Sequence, residues 1–396
     1  MKPDTQKKER RENRELALLM AVVLLLVAFG LAVLASAGSV RGRALAGDPA
    51  YFVKRQAAWL ILGLAAAWAG YRLPYPLWRR WTRPLALGAI VLLLAVLFLG
   101  PRIGGSRRWL RVGEITVQPS ELAKFAAIVM IAARIAGTPL RTQRYKEGLL
   151  IPGGLALLLA SLVLLEPDVG TAVLMGGIGV VLLFVSGFRV HPLVLAGLVL
   201  ALGGALYVRL DPVRWRRVEA WWWPERHPAI AHQFLESRNA FILGGTRIQP
   251  GRSIQKHYYL PEPHTDFIYA ILAEEYGVWG STSVLALFGL FLFLGTRISR
   301  RAPDLFGALL GFGITLSVSL QAMFNIAVVT GMLPTKGITL PFFSYGGSSL
   351  VMSLFQVGIL LNIGRRSLGR DPLAPPAGDR VFESSFAGLA TARERQ

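Results

Sequence analysis

The sequence predicts an all-α polytopic membrane protein with ten transmembrane helices and one long extracellular loop between helices 7 and 8. Hydrophobic residues make up 53% of the 396 residues and charged residues only 17%, whereas soluble domains carry about a quarter charged residues. The apolar residues are gathered in long windows, and a spanning helix needs about 20 of them. The windows lack the two-residue alternation of barrel strands, so helices are the expected spanning structure.

Eight windows without a charged side chain define eight of the ten predicted spans. They cover 16–40, 84–101, 148–165, 169–188, 190–208, 276–296, 305–335 and 337–364. Two weaker windows, 56–71 and 117–133, complete the set, and the second contains Glu121 and Lys124. The predicted membrane domain is therefore 15–366, and its long extracellular loop is 209–265.

The two ends of the chain are polar and predict cytoplasmic tails. Residues 1–14 form a basic tail, and the apolar window that follows is longer than the ~7–15 residues of a signal peptide, so an uncleaved first span is expected. Residues 367–396 are rich in Pro, Ala and Gly, which predicts a flexible tail. Basic tails favour the cytoplasmic side, so the 209–265 loop is placed outside.

Composition also limits the classes of function. A net charge of +20 would indicate nucleic acid binding in a soluble protein, but here membrane-flanking residues account for much of it, and no nucleic acid partner is expected. The chain has no cysteine, which excludes disulfides and thiolate chemistry. It also lacks a P-loop sequence. No nucleotide, haem or zinc cofactor is expected.

Two charges lie inside a predicted span. Glu121 and Lys124 are three residues apart on a helix opened by Pro119 and Ser120, so they share one face and can pair. An ionised group at mid-membrane costs about 3 kcal/mol on insertion scales. Two interpretations stay open, a structural ion pair and the polar wall of a cavity.

The end of the long loop combines prolines with acidic residues. Thr265 or Asp266 is placed to cap a helix that carries Glu274 and Glu275 into the eighth span. The alternative is a catalytic carboxylate at the membrane surface. Asp266 also alternates with Glu262 and His264. Mg²⁺ or Mn²⁺ shared with a phosphate ligand fits this pattern better than a dedicated zinc site.

Basic residues also lie on the predicted outer side. They are Arg107, Arg108, Arg214, Arg216, Arg217, Arg252, Lys256 and Lys336. Contact with membrane lipid headgroups is one explanation, and binding of a lipid pyrophosphate is the other, because guanidinium groups match phosphate oxygens. The run Trp221-Trp222-Trp223 predicts an interfacial anchor. Small residues from Gly346 to Ser349 would permit close backbone approach.

Four stretches share their residues with one family. They are Gln118-Pro-Ser-Glu-Leu-Ala-Lys124, Glu166-Pro-Asp-Val-Gly-Thr-Ala172, Tyr259-Leu-Pro-Glu-Pro-His-Thr-Asp-Phe-Ile268, and Leu333-Pro-Thr-Lys-Gly337 continued by Leu340-Pro-Phe-Phe-Ser-Tyr-Gly-Gly-Ser-Ser349. From the first span to about Arg366 the sequence resembles the SEDS family (shape, elongation, division and sporulation). It resembles the FtsW-like division branch more closely than the RodA-like elongation branch. The stretch Gly244–Arg252 departs from the family by having fewer glycines and two arginines.

The resemblance implies a ten-helix peptidoglycan glycosyltransferase in the bacterial cytoplasmic membrane. Such an enzyme polymerises lipid II, an undecaprenyl-pyrophosphate-linked disaccharide-pentapeptide, at the outer face of that membrane. A division role in septal wall synthesis and a class B penicillin-binding protein as partner are also implied. The alternatives are an elongation-type polymerase, a lipid II flippase, and a structural scaffold for division proteins.

The family pattern assigns catalysis to Asp266, as general base or as ligand to a divalent cation. Undecaprenyl pyrophosphate leaves as a stable anion, so one carboxylate suffices where glycosidases use two, and a single displacement inverts the anomeric centre. The remaining predicted residues are assigned to substrate binding. They are Arg108, Glu121, Lys124, Lys256, His264, Thr265, Lys336 and Ser348. Among them Lys124 and Arg108 would steady the pyrophosphate or the cavity wall, and Glu121 would hold Lys124.

Overall fold

The computed structural model describes residues 3–102, 106–113, 115–138, 150–257 and 259–368, and within these ranges the chain is mostly helical. The helices are α1 (Pro3–Ala37), α2 (Ser39–Ala46), α3 (Tyr51–Arg72), α4 (Pro76–Arg80), α5 (Thr82–Leu99), α6 (Pro119–Gly137), α7 (Ile151–Leu165), α8 (Val169–Val185), α9 (Val190–Leu210), α10 (Pro212–Trp222), α11 (Pro228–Gly244), α12 (Ile268–Arg300), α13 (Leu305–Val329) and α14 (Gly347–Ser367). Strands β1 (Leu110–Val112) and β2 (Ile115–Val117) form an antiparallel hairpin. The predicted C-terminal tail lies outside the described residues beyond residue 368.

Long apolar helices confirm a multi-pass membrane protein. Six of the described helices, α1, α5, α9, α12, α13 and α14, are long and apolar enough to cross a membrane, and α7 and α8 are shorter apolar helices. The two weaker predicted spans coincide with α3 and α6. The total of ten spans stays a prediction.

The helices pack around one main apolar core and a smaller one. In the main core α14 lies along α3, and α12 packs against α1 and α13. Residues of α5, α6, α7 and α8, about half of them alanines, form the second core. Helix α9 lies at the edge, with Leu195, Val199 and Leu202 each about three-fifths exposed, an arrangement that suits contact with lipid.

The predicted tenth span is wrong over its first ten residues. Helix α14 begins only at Gly347, and residues 337–346 are not helical. Pro341 lacks a backbone N–H, and Phe342 has a φ of 67°. Irregular backbone is tolerated in a membrane protein when buried partners satisfy it. Three side-chain amides supply such partners here, since Asn325, Gln321 and Gln56 donate to the carbonyls of Ile338, Thr339 and Ser344.

The predicted ninth span also ends early. Helix α13 stops at Val329, six residues before the predicted end, and Gly331 follows with a φ of 80°. The chain then continues without helix to Gly346. The two corrections together create one irregular segment between α13 and α14.

The predicted cap of the eighth helix is wrong. Helix α12 begins at Ile268 with Phe267 at its N-cap and no side-chain cap hydrogen bond. Thr265 instead donates from Oγ1 to the carbonyl of Glu262 at 3.2 Å, inside the preceding turn. Asp266 therefore does not cap the helix, so capping does not explain why an aspartate occupies this position. Further along, Gly277 breaks the helix with a φ of 60°, which separates an initial buried segment from the apolar span.

The predicted long loop is folded on the bundle. It contains α10 and α11 joined by the short 3₁₀ helix Pro224–Arg226. Trp221 donates from Nε1 to the carbonyl of Gly331 at 2.8 Å, which fastens α10 to the end of α13. The loop thereby lies next to the irregular segment that follows α13.

Candidate active site

Asp266 lies in the turn that precedes α12, against the irregular segment after α13. Its backbone carbonyl accepts a hydrogen bond from Asn325 Nδ2 at 2.8 Å. Its carboxylate rests on Gly337, since a Cβ added to that glycine would lie 2.8 Å from Oδ2. The side chain is half-buried, so it is closely surrounded by protein yet still reachable. Gly337 is far from Asp266 in the sequence, so this contact could not be predicted from the sequence.

The surroundings of Asp266 suit a group that exchanges protons near neutral pH. Burial raises the pKa of Asp266 to about 7, and the negative charges of Glu262 and Asp168 act in the same direction. Arg108 opposes them by favouring the ionised form. A carboxylate with this pKa is a stronger base than an ordinary aspartate, and about half of it is ionised at neutral pH.

Arg108 is held on the turn between α7 and α8. It donates from Nη2 to the carbonyl of Pro167 at 2.5 Å and from Nε to that of Glu166 at 3.4 Å. Its charge affects the pKa of Asp266, Glu166, Lys336 and Arg217, so Arg108 lies at the electrostatic centre of the site. The structure thus brings three predicted site residues together, Asp266, Arg108 and Lys336.

The turn itself supplies two acidic residues that the site prediction did not include. Asp168 caps α8 by accepting from Thr171 N at 3.3 Å, and it also accepts from Thr171 Oγ1 and Gln118 Nε2. Glu166 is fully buried, and neither carboxylate oxygen has a hydrogen-bond partner in the described part of the chain. Burial, together with the charge of Asp168, raises the pKa of Glu166 to about 8. Both residues belong to a stretch that the chain shares with the SEDS family, but no role was predicted for them from the sequence.

Lys336 is a further cation of this site. It is half-buried, and no ion pair to it is found among the described residues. Burial lowers the pKa of Lys336 to about 8, and the positive charges of Arg214, Arg217 and Arg108 act in the same direction against Asp168. The pKa of Arg217 is also lowered, first by burial and then by Arg108 and Arg214. This excess of positive charge around Lys336 favours binding of an anion.

The predicted pair of Glu121 and Lys124 is confirmed. Lys124 Nζ lies 3.0 Å from each of the two carboxylate oxygens of Glu121, and both residues are buried, with 3% of Lys124 and 5% of Glu121 exposed. Lys124 also donates to Gln321 Oε1 at 2.5 Å. The ammonium group is thus enclosed by protein acceptors. Its role in substrate binding stays a prediction that requires the site to open.

Ser348 and His264 make contacts that stabilise the framework. Ser348 Oγ donates to the carbonyl of Thr116 and accepts from Gln118 N, both at 3.1 Å, so it joins α14 to the start of α6. His264 is buried against Phe52, with ring centroids 4.0 Å apart. Burial and the charge of Arg41 lower the pKa of His264 to about 4, so its imidazole is neutral at pH 7.

Lys256 lies in a separate buried cluster. Its Nζ donates to Ser36 Oγ at 2.8 Å and to the carbonyl of Gly251 at 2.6 Å, and it pairs with Glu275 at 3.3 Å. The neighbouring Glu274 accepts from Ile254 N at 2.7 Å. These contacts fix the end of the long loop on α1 and α12. Thr265, by contrast, lies next to Asp266 in the turn.

The donor set does not make a metal cage. In the described ranges no three His, Asp or Glu side chains come together in a way that could hold a metal ion. Arg108 acts on Asp266 together with the acidic Glu262 and Asp168, and its positive charge opposes binding of a metal ion. The residues present therefore do not fit a resident divalent cation held by protein ligands alone.

Sequence reasoning missed two amide side chains in α13. Asn325 and Gln321 are 1% and 4% exposed, and both bind the irregular segment after α13. Their spacing of four residues places them one turn apart on one face of the helix. Polar residues within an apolar span are a recognisable functional signal, so the pattern could have identified them.

The chain is similar over most of its length to proteins of one family. A family described as "Cell cycle protein" (FtsW, RodA and SpoVE) matches residues 16–368. The chain is 38% identical over 359 residues to "Probable peptidoglycan glycosyltransferase FtsW" of Trichlorobacter lovleyi, covering 89% of this chain and 94% of that protein. It is 38% identical over 356 residues to "Stage V sporulation protein E" of Bacillus subtilis, covering 88% and 97%.

Solved structures show the same fold. A chain from a structure described as "Structural coordination of polymerization and crosslinking by a peptidoglycan synthase complex" matches with a TM-score of 0.73 and 30% identity, over 89% of this chain and 98% of that one. The rod shape determining protein RodA of Thermus thermophilus matches with a TM-score of 0.66 and 29% identity, over 88% and 95%.

Proposed function

Because the chain belongs to the FtsW, RodA and SpoVE family of cell cycle proteins, as its resemblance to the SEDS family predicted, we propose that it is a peptidoglycan glycosyltransferase that polymerises lipid II. The reaction takes place at the outer face of the bacterial cytoplasmic membrane, with both termini in the cytoplasm. One observation carries the chemical part of the proposal: a half-buried carboxylate, Asp266, is acted on by the positive charge of Arg108 and lies against Gly337, the residue that follows Lys336.

Asp266 acts as the general base. It accepts the proton of the attacking sugar hydroxyl while the hydroxyl oxygen forms a bond to the anomeric carbon of the donor. The bond between that carbon and the pyrophosphate oxygen breaks, and its electron pair leaves on undecaprenyl pyrophosphate. Attack opposite the leaving group inverts the anomeric centre. General-base catalysis contributes about 10²–10⁴-fold, and the raised pKa of Asp266 places it in the effective range.

Lys336, Arg217 and Arg108 stabilise the departing pyrophosphate. They lie close enough for each charge to affect its neighbours, and together they exceed the acidic partners around them. Charge that develops on the leaving oxygens is best stabilised by cations already in position. A leaving group of this kind needs no proton from the enzyme, which is consistent with one principal carboxylate.

A divalent cation, if it takes part, enters with the substrate. Mg²⁺ and Mn²⁺ bind phosphate oxygens with few protein carboxylates, and Asp266 is the residue placed to add one ligand. The protein contribution to charge stabilisation is already supplied by Arg108 and Lys336. No step of the proposal depends on the metal.

The division role and the partner follow from the relatives. The proteins that are 38% identical to the chain are named FtsW and stage V sporulation protein E, whereas RodA matches at 29%. We therefore assign the chain to septal wall synthesis rather than to elongation. A class B penicillin-binding protein is the proposed partner, supported by the similarity to a chain of a peptidoglycan synthase complex.

Purified protein and labelled lipid II provide the test. We expect glycan strands to form in detergent or proteoliposomes, and Asp266→Asn to slow their formation about 10²–10⁴-fold while leaving the thermal stability unchanged. Asp304→Asn is the matched control, because Asp304 caps α13 through Gly307 N at 2.6 Å and has no place in the site. Movement of lipid II across the membrane without strand formation would instead establish a flippase. Strand formation by Asp266→Asn at the wild-type rate would refute the catalytic assignment.

A further inference from the structure

We propose that Gln321 and Asn325 of α13 are positioning residues, which hold the Asp266 carboxylate in place through residues 337–339. The proposal rests on the function proposed above. It concerns two side chains that the reaction scheme does not use. Both are buried inside the bundle, and both direct their amide hydrogens at backbone that has no helix or strand of its own.

Asn325 joins the turn of Asp266 to the irregular segment. Its Nδ2 donates to the carbonyl of Asp266 at 2.8 Å and to that of Ile338 at 2.6 Å. An amide NH₂ has two donors, so both are committed to this bridge. The Oδ1 atom is buried without a hydrogen-bond partner in the described residues. A buried polar atom left unpaired is unfavourable, so the bridge made by Nδ2 must compensate for it.

Gln321 connects the same segment to the buried ion pair. Its Oε1 accepts from Lys124 Nζ at 2.5 Å, and its Nε2 donates to the carbonyl of Thr339 at 3.1 Å. Additional contacts from Nε2 reach Thr339 Oγ1 at 3.2 Å and Ser349 Oγ at 3.3 Å. The Glu121–Lys124 pair thereby fixes the amide, and the amide fixes residue 339. This gives the ion pair a positioning role without contact with substrate.

The held segment is the surface on which the Asp266 carboxylate rests. Gly337 lies directly before the two residues whose carbonyls the amides bind, and it leaves no room for a methyl group beside Oδ2 of Asp266. A displacement of residues 337–339 would therefore displace the carboxylate or open a gap beside it. The backbone of Asp266 is fixed by the same asparagine. Side chains of α13 therefore hold both the backbone of Asp266 and the segment that its carboxylate contacts.

The test compares Asn325→Leu with Asn362→Leu. Asn362 is a matched control, since it is also fully buried and also bridges backbone, donating to Tyr71 O at 2.6 Å and accepting from Tyr75 N at 3.1 Å. Misplacing a reacting group by about 1 Å costs about 10²-fold. We expect Asn325→Leu to lower kcat for lipid II polymerisation by about that factor with an unchanged KM. Asn362→Leu should lower only the Tm.

The pH profile distinguishes positioning from a loss of stability. A carboxylate released toward solvent loses the burial that raises its pKa, so the acid limb of kcat/KM should move to lower pH in Asn325→Leu. The charged groups that act on Asp266, namely Glu262, Asp168 and Arg108, are unaltered in this variant. Asn325→Ala also removes the NH₂ donors without adding a charge, and it replaces the leucine variant if that fails to fold.

Two results would overturn the proposal. One is a normal kcat in folded Asn325→Leu or Asn325→Ala. The other is a loss of kcat that follows the Tm equally in the Asn325 and Asn362 variants with the acid limb unmoved. Failure of the proposed function is a separate outcome, because the wild type would then form no glycan strands in the same assay.

Discussion

A methyl group at residue 337 should displace the catalytic carboxylate without changing any hydrogen bond. A Cβ added to Gly337 would lie 2.8 Å from Asp266 Oδ2, whereas ordinary van der Waals contact begins at 3.4 Å. Gly337→Ala therefore moves the carboxylate or the segment by about 0.6 Å. The backbone of Gly337 lies outside the positive-φ region, so alanine adopts it without strain. Since 1 Å of misplacement costs about 10²-fold, we expect kcat to fall about tenfold.

The assay is glycan-strand formation from lipid II by purified protein, with kcat and KM measured separately. Gly346→Ala is the control in the same segment, because a methyl group there meets nothing closer than 3.5 Å. We expect Gly346→Ala to have the kcat of the wild type. Both variants should have the Tm of the wild type. If Gly337→Ala polymerises lipid II at the rate of Gly346→Ala, the contact between residue 337 and Asp266 has no part in catalysis.

The other predictions concern two lysines. Lys336→Met should raise KM for lipid II, and kcat/KM of the wild type should fall above pH about 8 as Lys336 loses its proton. Lys336→Arg should abolish that alkaline limb, and an unchanged limb would assign it to another group. Lys256→Met leaves Glu275 buried without its cation, so we expect a loss of about 3–5 kcal/mol of stability, measured by thermal unfolding, and a normal kcat in the folded fraction. A lower kcat at unchanged stability would instead support the prediction that Lys256 binds substrate.

Hydropathy predicted the helix bundle because each spanning segment has to form its backbone hydrogen bonds within itself in lipid. The same reasoning failed at residues 337–346, which are apolar enough to enter the membrane but are not helical. Their carbonyls are satisfied by side chains from other helices, such as Gln56 on Ser344. The average hydropathy of a window depends only on its composition, and it carries no information on a partner 288 residues away in the sequence. The end of α13 was misplaced for the same reason.

The candidate site was predictable where a residue type was unusual for its position. Asp266, Lys336 and the Glu121–Lys124 pair were identified because charge at the membrane is costly and because their motifs resemble a known family. Asn325 and Gln321 carry no charge, so they did not stand out. Ser348 lies in a stretch shared with the family and Lys256 among the outer basic residues, yet their contacts in the structure are with the framework. Motif membership therefore did not separate residues that face the substrate from residues that support them.

The rate of lipid II polymerisation as a function of pH, in the wild type and in Asp266→Asn, tests the central claim most directly. Asp266 must be ionised to accept a proton, and its pKa is raised to about 7, so the wild-type kcat/KM should fall tenfold for each pH unit below that value. The asparagine variant should be about 10²–10⁴-fold slower and should show no acid limb. A wild-type rate that stays constant down to pH about 5, or an acid limb that persists in Asp266→Asn, would contradict the assignment of Asp266 as the base.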